Sequence, residues 1–254
     1  MTEFAISFVV YLCVMIGALV GIYLHRVLPP DQMKEDTRQI VNVATGLIAT
    51  LSALVLGLMV ASAKSSFDAR SEEVRESAAR IIMLDRSLRQ YGPETRDTRE
   101  VLRQLIEARI KRVWGPREDP LQEGSVGSQA AEIEAIRSSL FALTPRNDAQ
   151  KWLHARALTV AAELEQSRWL LIEHSRSSIP RPFLMVLVFW LIVIFASLGL
   201  FAPRNGTVYT IIFVCALSVA TAIFLILEMD QPYEGLLQIS DAPLRSALGE
   251  IGRN

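Results

Sequence analysis

The chain has 254 residues, is 51% hydrophobic, and carries a formal net charge of -1. That balance gives no global basic field, so nucleic acid is not an expected partner. Two cysteines (Cys13 and Cys215) and three histidines (His25, His154 and His174) show no metal-ligand spacing. Both cysteines lie in apolar runs, so neither a disulfide framework nor a metal or other cofactor is expected.

The mean hydropathy of +0.29 hides a sharp division. Four runs carry no charge, at residues 4–24, 40–63, 183–201 and 208–227, and charge is dense elsewhere. A helix of about 20 apolar residues crosses a hydrocarbon core of about 30 Å, so four transmembrane helices are expected. The first run follows Met1-Thr2-Glu3. It has no positive n-region and is too long for a signal peptide, so it reads as a retained helix. Its Gly17 and Gly21 form a G-x-x-x-G pair, which reads as close helix packing.

The second run is rich in small and polar residues: Asn42, Thr45, Gly46, Thr50, Ser52, Ala53, Gly57 and Ser62. Gly46, Thr50, Ala53, Gly57 and Ala61 fall at spacings of three and four, hence on one helix face. Thr45, Gly46, Thr50, Ala53 and Gly57 are the pore-lining candidates. Close packing against another helix is the competing reading of the same face. Neither Gly nor Pro occurs between Leu58 and Tyr91, and Gly92-Pro93 is then a stop. A seven-residue stripe of Gly46, Ala53, Val60, Phe67, Val74, Ile81 and Leu88 predicts one long helix facing one continuous partner surface. From residue 40 to 91 it would span roughly 80 Å.

Residues 64–182 hold 20 Lys+Arg and 18 Asp+Glu, the pattern of a solvated helical surface. Glu76 with Arg80, Asp85 with Arg89, and Glu107 with Lys111 stand at pairing distance on a helix. Further helices are expected over 95–114, over 128–141, and after Thr144-Pro145, read as an N-cap followed by proline at the first helical position. Residues 115–127 read as a loop, Gly124 and Gly127 included. His154 and His174 read as surface or packing residues. Lys64, Arg176 and Arg181 flank the apolar runs. They are candidates for anions or lipid head groups, with ordinary positive-inside flanking as the plainer reading.

The fourth apolar run ends at Glu228 and Asp230, followed by Pro232 and Tyr233. This tail motif reads either as a cation or gating contact or as an interfacial cap with an aromatic anchor. The tail beyond it, with Pro243 and Arg245, is expected to pack on the insert. The organisation is therefore all-α: a first transmembrane pair (1–63), a helical soluble insert (64–182), a second pair (183–228) and a tail (229–254). Lys64, Arg70, Arg75, Arg80, Arg168, Arg176 and Arg181 outweigh Arg26, Lys34, Arg38 and Arg204 on the other side, so the insert is expected in the cytoplasm.

Charge-free spans argue against a proton-driven stator or proton-coupled transporter, which need a buried carboxylate. No nucleophile elbow, P-loop or His/Cys/carboxylate cluster points to an enzyme.

Two stretches resemble the bestrophin-like domain family of mainly bacterial membrane proteins. One is Leu56-Gly57-Leu58 with Ala61, Phe67, the Arg70 region and residues 84–91. The other is Leu227-Glu228-Met229-Asp230-Gln231-Pro232-Tyr233-Glu234-Gly235 with Ile239-Ser240 and Pro243-Leu244-Arg245. The resemblance implies a homo-oligomeric ion channel in a bacterial inner membrane, in contact with the lipid bilayer and passing small inorganic ions, anions first. The alternative is a membrane-anchored scaffold or signalling protein whose insert binds a partner.

Overall fold

A computed structural model describes residues 2–29, 35–115, 126–174, 181–203, 205–233 and 235–251; no side chains are described at residues 2, 126–133, 167–174 and 181. In chain order the helices are α1 (Thr2–Val27), α2 (Glu35–Tyr91), α3 (Arg96–Trp114), α4 (Val126–Phe141), α5 (Asp148–His174), α6 (Arg181–Phe201), α7 (Gly206–Asp230) and α8 (Ala242–Ile251). A single 3-10 turn, Pro93–Thr95, separates α2 from α3, and the described residues contain no strand. α1, α2, α6 and α7 are each long and apolar enough to cross a membrane. The chain forms two compact units, Met1–Phe67 with Ser177–Leu237, and Asp68–Arg176 with Gln238–Asn254.

In the first unit α1 packs along α6 and α7. Val10, Val14 and Ala18 of α1 share a core with Leu187, Leu191 and Phe195 of α6 and Ile212, Ala216 and Ile223 of α7. Lipid tails are as apolar as these side chains, so close approach and dispersion must hold the helices together. Glycine supplies that approach. A Cβ on Gly17 would lie 2.9 Å from the Ile192 carbonyl oxygen. One on Gly21 would overlap the carbonyl of Ala196, and one on Gly199 that of Ala18. The G-x-x-x-G pair is thus half of a two-sided seam, with Gly199 on the opposing helix. At one end of the seam, His25 Nδ1–H donates to the Leu200 carbonyl at 2.7 Å. Edge-on ring pairs, Phe4–Phe224 and Tyr11–Phe213, join α1 to α7.

In the second unit α3 folds back along α2. Gly92 makes the reversal at φ 138, a backbone region that side chains disfavour. The Thr95 hydroxyl then donates to the Leu88 carbonyl at 2.6 Å, satisfying one of the orphan acceptors at the helix end. Val74, Ile81, Leu84 and Leu88 of α2 are buried, as are Leu102, Ile106 and Ile110 of α3. α8 lies on α3, burying Leu244, Ala247 and Ile251, and the Trp114 indole N–H donates to the Ile239 carbonyl at 2.7 Å.

Several local expectations are corrected. Asp85 does not pair with Arg89. It takes Arg99 in a two-pronged contact, at 2.7 Å from Nε and 3.3 Å from a terminal nitrogen, because α3 brings Arg99 alongside. Arg99 also reaches the Ile251 carbonyl at 3.4 Å. Glu107 bonds Arg103 at 3.1 Å, whereas Glu76 does pair with Arg80, at 3.1 Å. α5 begins at Asp148, not at Pro145. Its cap is Asn147, whose side-chain oxygen accepts from the Gln150 N–H at 2.8 Å. α4 starts at Val126, so Gly127 belongs to a helix, while residues 116–125, with Gly124, lie outside the described residues. Within the single chain the heptad stripe is covered over only part of its length: Val74, Ile81 and Leu88 are buried, whereas Gly46, Ala53 and Val60 are exposed.

Candidate functional site

α2 is the least covered of the four apolar helices. Its apolar window is 11% buried, against 33% for α1, 22% for α6 and 28% for α7. One arc, Ser52, Met59 and Ala63, turns into the unit's core. The other presents Gly46, Thr50, Ala53 and Gly57, all exposed. A Cβ built on Gly46 or Gly57 meets nothing within 4 Å. Beside them Leu47, Leu51, Leu54 and Leu58 are also exposed.

The five pore-lining candidates therefore separate. Thr45 turns toward α6, its hydroxyl donating to Ser197 Oγ at 3.0 Å. The other four share the open arc. Thr50 satisfies its own hydroxyl within the helix, at 2.9 Å from the Gly46 carbonyl and 2.8 Å from that of Leu47. A threonine bonded in this way presents its methyl group outward and costs little in an apolar medium. Among the flanking cations, Lys64, the residue directly after the apolar run, is exposed and is engaged in an interaction. Arg176 lies outside the described residues. Arg181 is the first residue of α6, and its side chain is likewise outside them.

The tail motif forms a tight turn. Glu228, only 4% exposed, accepts a hydrogen bond from the Leu236 N–H. Gly235 sits at φ 90, and any Cβ there would collide with the Glu228 carboxylate. The Gln231 N–H closes α7 on the Glu228 carbonyl at 3.2 Å, and Pro232 is buried. Asp230 and Tyr233 are half-buried and both engaged. The spacing acid, proline, aromatic, glycine thus has a physical cause: a carboxylate folds the chain back onto the last turn of α7, and only glycine fits against it. One Glu228 oxygen is thus occupied by backbone. Sequence reasoning had the residues but not the Leu236 contact, eight positions away.

The second unit holds two features that the sequence did not single out. A shallow cleft of about 340 Å³ lies between α3 and α8, lined by Glu107, Ile110, Lys111, Trp114, Gly115, Arg245 and Leu248. Arg245 is ion-paired there with Asp241 at 2.5 Å. At the end of α2, the Tyr91 side chain is buried with its hydroxyl lacking a partner. Burial raises its pKa above 10.0, the neighbouring Glu94 raises it further, and Arg146 opposes them. His154 packs on the Tyr91 ring and its Nε2–H donates to the Leu140 carbonyl at 2.9 Å. The side chain of His174 is outside the described residues. Among the described residues no group of three His, Cys, Asp or Glu side chains could hold a metal.

Four bilayer-length apolar helices, two of which, α1 and α6, meet on a glycine seam, define a helical membrane protein. Within that class, the chain matches the Bestrophin-like domain over residues 12–244, nearly its whole length, and belongs to that family. No curated protein and no solved structure gives a significant match.

Proposed function

We propose that the protein is a homo-oligomeric ion channel in which the small face of α2 lines or flanks the axis between subunits. The carrying observation is the open arc of Gly46, Thr50, Ala53 and Gly57 on a helix whose opposite arc is buried. Small side chains are wasted against fluid lipid, which has no need of close backbone approach. They are useful where another helix or an ion path comes near. Family membership supports the reading, since bestrophins are anion channels. A path without charged side chains would conduct through backbone groups, hydroxyls and a hydrophobic constriction. In this reading the helices cross a bacterial inner membrane, and the second unit is a cytoplasmic vestibule. Lys64, Arg176 and Arg181, which flank the apolar runs in the sequence, would concentrate anions.

A second reading is favoured by a different observation. Phe141 and Trp152 in the second unit are 61% and 67% exposed. Large exposed aromatics suit a protein partner, as in a membrane-anchored scaffold.

Flux in liposomes separates the two. Purified protein is tested under separate anion and cation gradients, alongside Thr50→Trp and Gly57→Trp. The channel reading expects flux that falls at least tenfold in either variant while assembly persists. No flux from a folded oligomer under any gradient transfers the assignment to the scaffold.

A further inference from the structure

The turn that follows α7 places two leucines at its surface. Leu236 is 82% exposed, the most exposed large hydrophobic residue in the described chain, and Leu237 is 39% exposed. Neither is a loose loop tip. The Leu236 N–H is held by the Glu228 carboxylate, Gly235 is locked against the same carboxylate at φ 90, and the preceding Pro232 is buried. The fold therefore presents a bulky apolar side chain outward from a fixed backbone.

Its depth follows from the same contact. The apolar run of α7 ends at Leu227, and Glu228 is the first charged residue after it. Glu228 thus marks the edge of the hydrocarbon core in a spanning α7. Leu236 lies within one side-chain length of that edge although it is eight residues further along. The interfacial zone beyond the core is about 6 Å thick on each side, so Leu236 falls within it. The outward surface of α7 leading to this point is itself apolar, with Leu217 and Leu225 exposed at 49% and 47%.

We infer that Leu236 and Leu237 form an interfacial wedge, inserted into the lipid at the boundary between head groups and acyl chains. The occupant of this surface is the bilayer, continuous with the lipid-facing side of α7. The role of Glu228 is positional: it fixes the turn, and the turn holds the wedge at one depth. This inference rests on α7 spanning a membrane but not on ion conduction.

The test is collision accessibility of a nitroxide in protein reconstituted into phosphatidylcholine liposomes. Leu236→Cys is made in a Cys13→Ala, Cys215→Ala background and labelled. Cys215, exposed on α7, is labelled alone in a Cys13→Ala chain as the reference for lipid. Ala155→Cys, exposed on the charged helix α5, is the reference for water. The expected result is an oxygen-to-nickel-chelate accessibility ratio at Leu236 several-fold above that at Ala155 and approaching that at Cys215. Adding Glu228→Ala should return the Leu236 ratio toward the aqueous value. A chelate-accessible Leu236 overturns the wedge. Low access to both reagents also overturns it, because a second copy or another part of the chain then covers the site. An unchanged ratio in Glu228→Ala refutes the positional role. If the Cys215 label itself prefers the chelate, α7 is not in lipid, and the membrane reading fails together with the wedge.

Discussion

The two halves of α2 carry one heptad stripe and treat it in opposite ways. In the charged half, Val74, Ile81 and Leu88 are 2%, 4% and 1% exposed, covered within their own unit. In the apolar half, Gly46, Ala53 and Val60 stand open. In water an uncovered apolar stripe costs about 25 cal/mol per Å², so the chain must cover it itself. In lipid the same exposure costs nearly nothing, so the stripe can remain available for another chain. A second contrast runs in parallel. Gly17, Gly21 and Gly199 are small because an opposing backbone touches them, whereas Gly46 and Gly57 are small with nothing against them.

The strongest way to break the contrast lies in the charged half. Asp85 is 5% exposed and holds Arg99. Asp85→Ala leaves that half-buried guanidinium with only the Ile251 carbonyl, so a loss of about 3 kcal/mol is expected, read as a lowered thermal midpoint in detergent. Leu88→Ala should cost about 2–5 kcal/mol by opening a cavity. Denaturant titration followed by circular dichroism measures it. For the glycine seam, Gly21→Ala should cost about 1–3 kcal/mol through overpacking against Ala196, visible as a lower yield of monodisperse protein and a reduced melting temperature.

Tyr91 sharpens the contrast through pH. Its pKa is raised in the folded chain above the ordinary 10.0, so the folded state holds the phenolic proton more tightly than the unfolded state does. Its contribution is fully present below pH 10 and lost as pH rises through the folded value. Tyr91→Phe should therefore unfold at a higher pH than the parent chain in an alkaline titration. The smallest effects belong to the open arc. Leu54→Ala, at a site 71% exposed, and Gly57→Ala should each change the stability of the isolated subunit by about 0.5 kcal/mol or less. A large loss at either site would mean that the arc is covered within the subunit.

The four spans were legible because a charge-free run of 19 residues or more fits a bilayer and little else. The helix from residue 40 to 91 was legible because nothing interrupts it before Gly92-Pro93. The ion pairs were less so. Counting i,i+4 partners assigned Asp85 to Arg89, but Arg99 returns on α3, and a tertiary partner with two-pronged geometry wins over a local one. The start of α5 was misplaced because Thr144-Pro145 has the right residue types, while Asn147 has both the right type and the bond to Gln150. The acid, proline, aromatic and glycine of the tail were visible as residues. Their purpose was not, because it depends on a backbone contact eight positions distant. The small face of α2 was visible as spacing alone, and spacing is the same for a packed seam and an open arc. Gly17 and Gly46 differ only in what stands opposite them.

The central claim is that the open arc of α2 meets a second copy of the chain. Gly57→Cys in a Cys13→Ala, Cys215→Ala background, treated in membranes with a short bismaleimide, tests it most directly. Phe189→Cys, at a site on α6 that is 62% exposed, is the comparison. Covalent dimers and higher species are predicted from Gly57→Cys, and mainly monomer from Phe189→Cys. Cross-linking that is absent at Gly57, or equal at both positions, would contradict the claim.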